Sequence, residues 1–163
     1  MAFERCSPEL LLERLEGTWH GQGSGSYPEI GEFDYLETME FTRSPKGFMV
    51  YSQHTTSLQG SPMHQELGYM RVDEQHSNLE LLIVQPTGIV EVLVGDVMRD
   101  GDNFRFDLNS NAVATSPSAK EVVRTGRYFF LENGALSYQL HMEAVGEEYR
   151  LHLEASLVRS EGE

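Results

Sequence analysis

From Gly17 to the end of the chain, apolar and polar residues alternate with a period of two, a pattern that commits the polypeptide to half-buried β-strands. Gly17, Trp19, Gly21, Gly23, Gly25 and Tyr27 share one face, and Thr18, His20, Gln22, Ser24 and Ser26 the other. Phe33, Tyr35, Glu37, Met39 and Phe41 repeat the alternation, as do Ile89, Glu91, Leu93, Gly95 and Val97. The pattern predicts about ten strands, near residues 18–27, 33–43, 47–57, 64–73, 78–85, 88–97, 103–110, 120–131, 135–145 and 148–159. Short polar turns join them: Pro45-Lys46-Gly47, Gly60-Ser61-Pro62, Asp100-Gly101-Asp102 and the hairpin pair Asn133-Gly134. The longest soft stretch, Asn109 to Ala119, reads as a loop. Ahead of the strands, Ser7 as N-cap, Pro8, Glu9 and the stripe Leu10, Leu11, Leu12 and Leu15 predict one short helix that stops at Gly17. So many consecutive strands need closure to remove their edges, so the expected fold is all-β. It is a closed antiparallel up-and-down barrel of about ten strands with a short N-terminal helix. Barrels of that size can enclose one small ligand.

Charge narrows the possible partners. Twelve Lys and Arg against 26 Asp and Glu give a formal charge of −14, which opposes nucleic-acid backbones and anionic lipid. A length of 163 residues suits one domain (1–163), and 39% hydrophobic residues suffice for a core. The single cysteine, Cys6, excludes an internal disulfide and any cysteine-based zinc site. The first residues do not form a secretory signal, and no apolar run reaches the ~18 residues of a membrane span. The expectation is a cytoplasmic monomer or homodimer.

The glycines from Gly17 to Gly25 fit neither phosphate-binding pattern. Glycine at every second position instead bares one strand face to close approach, by a neighbouring chain or by a flat ligand. Gln22-Gly23-Ser24-Gly25-Ser26 is not a nucleophile elbow, and nothing marks Cys6 as an activated thiolate. Six histidines are present: His20, His54, His64, His76, His141 and His152. None pairs with another at helical metal-binding spacing, so each reads by default as a solvated or hydrogen-bonded strand residue. His152 falls in sequence with Arg150, Glu154 and Ser156, on a face that meets water in a one-sided sheet or the lumen of a polar barrel. Glu37 and Glu91 lie on apolar faces, where a lone carboxylate is costly to bury; a salt bridge to Arg71, Arg124 or Arg127 is the favoured reading and a functional lumen carboxylate the other.

Several segments together resemble the nitrobindin family, lipocalin-like haem-binding barrels related in shape to the intracellular fatty-acid-binding proteins. Gly17-Thr18-Trp19-His20-Gly21-Gln22-Gly23 matches the family's G-x-W-x-G-x-G signature, followed by Gly25-Ser26-Tyr27-Pro28 and the Phe33-x-Tyr35-x-Glu37 strand. Pro62-Met63-His64-Gln65-Glu66-Leu67-Gly68-Tyr69 is similar to the P-x-H-x-E-x-G-Y segment. Pro86-Thr87-Gly88-Ile89-Val90-Glu91, then Leu136-x-Tyr138 with Met142, and His152-Leu153-Glu154-Ala155-Ser156-Leu157 with Arg159 complete the match over residues 17–159.

The resemblance implies a b-type haem (heme b) in the barrel mouth, with His152 at the position of the proximal iron ligand. His64 matches a distal histidine, placed to hydrogen-bond a bound ligand and to take part in catalysis. Trp19, Gly21 and Gly23 belong to the signature strand expected to lie beside the macrocycle, and Lys120 falls where a basic side chain meets a propionate. Glu29 stands where the family often has threonine, and sets a negative charge there. Family members bind nitric oxide and isomerise peroxynitrite to nitrate, so haem, nitric oxide and peroxynitrite are the small molecules expected here. A carrier or sensor of a small apolar ligand in the same cavity is the alternative, and a barrel without ligand a third.

Overall fold

A computed structural model describes residues 2–28 and 30–160; Glu29 lies outside them. The elements in order are β1 (Glu4–Arg5), α1 (Pro8–Leu15), β2 (Gly17–Tyr27), β3 (Gly31–Arg43), β4 (Met49–Thr56), β5 (Pro62–Asp73) and β6 (Asn78–Gln85). They continue with β7 (Ile89–Gly95), β8 (Val97–Asp100), β9 (Asn103–Thr115), β10 (Val122–Glu132), β11 (Ala135–Ala144) and β12 (Arg150–Arg159). All pairings are antiparallel. The meander closes where β12 meets β2 and β7 meets β9, which makes a barrel of ten strands.

The two strands not predicted from the alternation are β1 and β8. Val94 faces Asn109 and Val97 faces Phe106, so β8 continues β7 along β9 in the same register after the break at Asp96. Strand β6 starts only at Asn78, its pairing with β7 starts at Leu79 opposite Gly95, and β1 pairs with β8 in the place β6 leaves. Arg5 secures the junction, its Nη2 donating to the His76 carbonyl at 2.6 Å and to Asn78 Oδ1 at 3.1 Å. The stretch read as a loop from Asn109 is a loop only beyond Thr115. Residues up to Thr115 pair with β7, because an open sheet edge gains a full ladder of backbone hydrogen bonds there whatever its side chains.

Helix α1 covers one end of the barrel. Leu11, Leu12 and Leu15 are fully buried on its inner face, while Glu9 pairs with Arg43 at 2.7 Å and Arg14 with Asp102 at 3.1 Å at the rim. Ser7 takes the N-cap position, but its hydroxyl makes no capping bond. Gly17 (φ +130°) turns the chain from the helix into β2, and the Arg159 guanidinium donates to the Glu16 and Arg14 carbonyls left open at the helix end. The core between this end and mid-barrel is packed with Met39, Phe41, Met49, Leu81, Leu93, Phe104 and Phe106. None of the described helices is long and apolar enough to cross a membrane.

Candidate functional site

The opposite end carries the β2–β3, β4–β5, β6–β7, β9–β10 and β11–β12 connections, and among the described residues no helix lies across it. His152 stands there, at the start of β12. Leu140 pairs with Leu153 and His141 with Leu151, so His152 is the extra residue of a β-bulge. Leu153, Ala155 and Leu157 face the core. Strict alternation from them would turn His152 outward, beside Glu154 and Ser156. The bulge inverts it, and the side chain is only 4% exposed.

Among the described residues, neither His152 ring nitrogen has a hydrogen-bond partner. Burial lowers its pKa below the ordinary 6.5, and the positive charges of Arg150 and His141 add to that effect. The Ser26 backbone, close but outside bonding geometry, pulls weakly the other way. The ring is therefore neutral at pH 7, with a lone pair that none of the described residues uses. A buried, unpaired nitrogen is costly, and a bond to a metal would remove that cost. Among the described residues, no three of His, Cys, Asp and Glu converge to hold a metal ion. A macrocycle supplies four ligands itself and asks the protein for one imidazole, so this donor set fits a haem.

Tyr27 joins His152 to the interior. Its ring centroid lies 4.9 Å from the imidazole and 5.6 Å from Phe33, which stacks on it. It also lines, with Gln53, His64, Glu66, Arg127 and Tyr138, an internal cavity of about 40 Å³. That volume holds a water or two.

Below Tyr27 the lumen holds a buried ion lattice. The Arg127 guanidinium reaches Glu66 Oε2 through Nη1 and Glu91 Oε2 through Nη2, both at 2.7 Å. Tyr51 donates to Glu66 Oε2 at 3.0 Å; Thr125 (2.8 Å) and Gln85 (2.7 Å) donate to Glu91. Burial alone would raise the Glu66 pKa, but the Arg127 charge and the His64 contact outweigh it and bring it down to about 2. His64 Nε2 lies 3.1 Å from Glu66 Oε1. Of the arginines considered for Glu37 and Glu91, Arg127 takes Glu91, while Arg71 and Arg124 pair outside with Glu80 and Glu143. Among the described residues, Glu37 forms no ion pair with an arginine. It accepts from Tyr138 (2.6 Å) and Gln53 (3.1 Å), and burial raises its pKa to about 7.

The structure brings His152 and His64 to the same end of the barrel, linked through Tyr27, with Lys120 exposed in the β9–β10 connection at that end. Trp19 and Gly21 are not brought to it. Trp19 is 1% exposed at the helix-covered end, where its indole donates to the Leu15 carbonyl at 2.8 Å and Arg159 covers its ring. What approaches the bare glycines is the barrel's own chain. A Cβ on Gly21 would lie 1.9 Å from the Ser156 carbonyl oxygen, and one on Gly23 would lie 2.4 Å from the Tyr35 ring. His20 and His76 are bonded to Thr38 and Asp73 at the surface, as the default reading of strand histidines expects. The residues that sequence reasoning passed over are Tyr27, Tyr51, Gln53 and Glu66. Glu66 had a signal, since it stands two residues from His64 and so on the same strand face.

The family described as "THAP4-like, heme-binding beta-barrel domain" matches residues 10–159. Peroxynitrite isomerase 2 of Mycobacterium avium is 42% identical over 154 residues, covering 93% of this chain and 95% of that protein. The crystal structure of Rv2717c from M. tuberculosis superposes with a TM-score of 0.88 at 35% identity, over 96% of this chain and 99% of the other. An S-type phycobiliprotein lyase from Guillardia theta shares the fold alone, with a TM-score of 0.58 at 12% identity.

Proposed function

Because the chain belongs to the THAP4-like, heme-binding β-barrel family, we propose that it holds a b-type haem at the open end through His152 and there isomerises peroxynitrite to nitrate. The observation that carries this reading is the inward, neutral and unpaired imidazole of His152. When bound, the haem would supply Lewis-acid and redox chemistry to this site. The chain supplies the rest. His152 gives a lone pair from a strand position fixed by its bulge. Tyr27 and Phe33 offer stacked aromatic faces beside it. His64, held by Glu66, offers one polar contact on the lumen side, and the packed barrel beneath keeps reacting fragments together. Lys120 is assigned to a propionate, as a basic side chain at the rim of the same end. Trp19 and Gly21 act at a distance, by sealing the closed end and by letting β12 approach β2.

Titration of the purified protein with haem, followed at the Soret band, tests the binding. We expect one-to-one saturation, lost or greatly weakened in His152→Ala and retained in His64→Ala. The reverse pattern would overturn the ligand assignment. Stopped-flow decay of peroxynitrite tests the activity; equal decay with apo and loaded protein would leave a haem-binding barrel without it.

A further inference from the structure

We propose that Glu66 is a positioning residue that fixes His64 as the tautomer with its hydrogen on Nε2, so that the neutral ring meets a pocket ligand as an acceptor and selects peroxy acids that still carry a proton over nitric oxide. The proposal rests on the pocket reading above and adds to it a ligand class.

Glu66 Oε2 receives Arg127 Nη1 at 2.7 Å and the Tyr51 hydroxyl at 3.0 Å. Oε1 receives Arg127 Nη2 at 3.4 Å and faces His64 Nε2 at 3.1 Å. A carboxylate surrounded by donors from an arginine and a tyrosine carries no hydrogen of its own and can only accept. The bond to His64 therefore uses a hydrogen on Nε2, and Nδ1 keeps the lone pair of the neutral ring. Nitric oxide has no hydrogen to donate to it. Peroxynitrous acid has one. In the transfer, the O–H bond of the acid breaks and an N–H bond forms at Nδ1, leaving the peroxynitrite anion and an imidazolium; no electron changes hands. The new charge is well placed, because the lattice beneath carries two carboxylates, Glu66 and Glu91, against one guanidinium, Arg127. The titratable and charged groups around His64 and this lattice are Tyr27 from β2, Glu37 from β3, Tyr51 from β4, Glu66 from its own strand, Glu91 from β7, Arg127 from β10 and Tyr138 from β11.

Nitrogen-15 NMR of the full chain without cofactor, in mildly alkaline buffer, reads the tautomer directly. The expected result is Nε2–H for His64 in the wild type, shifting toward Nδ1–H in Glu66→Gln, whose amide can donate to Nε2. A wild-type ring with its hydrogen on Nδ1, or exchanging freely between the two forms, overturns the proposal with no variant needed. A second reading uses loaded protein: the stretching frequency of bound nitric oxide falls when a donor contacts it. Wild type and His64→Leu are expected to agree, and Glu66→Gln to lie lower. A wild-type value below that of His64→Leu would mean that His64 donates, against the proposal. Failure of haem to bind removes the pocket reading and leaves the NMR result to decide this one alone.

Discussion

Tyr27 sets its ring 4.9 Å from the imidazole of His152, tilted by 43°, and Phe33 stacks on Tyr27 in turn. The three side chains come from β2, β3 and the bulge of β12, so the pocket wall depends on strands that are distant in sequence. Aromatic contacts of this kind are worth ~1 kcal/mol each, about tenfold or less in affinity. Tyr27→Ala is therefore expected to weaken haem binding by about tenfold while His152→Ala removes it, and Tyr27→Phe is expected to bind as the wild type does. Soret titrations of the three variants make the comparison.

Acid is expected to release the ligand for a reason visible in the site. The His152 pKa is depressed by burial first and then by Arg150 and His141, so the folded protein resists protonating it. The unfolded chain takes that proton first, near pH 6.5, and between 6.5 and the lower folded value stability rises with pH. Haem affinity is expected to stay level through neutral pH and to fall only below 6.5. Arg150→Gln removes one of the opposing charges and moves the fall to higher pH. Titrations over a pH series measure both curves, and a coincident pair would contradict the stated cause.

Glu37 works in the opposite direction. Its carboxyl rises from 4.5 to about 7 because burial favours the neutral form, a difference of ~3 kcal/mol between folded and unfolded chains. The folded state holds the proton more tightly, so this stability is fully present below 4.5 and is lost as pH rises through about 7. Glu37→Gln keeps a neutral hydrogen-bonding group there and is expected to flatten that decline. Urea unfolding at several pH values between 5 and 8 tests it; parallel profiles for wild type and variant would remove Glu37 from the account.

Among the described residues, Arg127 is the cation that touches both Glu66 and Glu91. Arg127→Met leaves two buried carboxylates without their countercharge and is expected to cost about 3–5 kcal/mol at neutral pH. The loss is expected to shrink in acid, and also in the triple variant with Glu66→Gln and Glu91→Gln, which removes the stranded charges. Denaturant midpoints at neutral and acid pH read both effects.

The close approach at β2 gives a sharper contrast. A methyl on Gly21 would lie 1.9 Å from the Ser156 carbonyl, a backbone atom that cannot swing aside. Gly21→Ala is expected to destabilise the barrel by ~1–3 kcal/mol or more, whereas Ser24→Ala on the opposite strand face is expected to change little. Thermal unfolding of the two variants decides the matter.

By itself, the sequence determined the barrel. The alternation beginning at Gly17 records a backbone property, that successive strand residues face opposite ways, and turns such as Asn133-Gly134 mark where it must reverse. The stripe of Leu11, Leu12 and Leu15 likewise marked the helix that plugs one end. Tertiary structure decided what alternation cannot encode. Strand β1 and the far half of β9 exist because neighbouring edges needed partners, not because Glu4–Arg5 or Asn109–Thr115 favour strands. The lattice of Glu66, Arg127 and Glu91 assembles three strands that meet only on closure. His152 is the clearest case. Its neighbours in sequence place it on the polar face, and a single unpaired position in the ladder between β11 and β12 turns it inward. A bulge is a mismatch between two strands, so neither strand's sequence contains it; it appears only when both are paired.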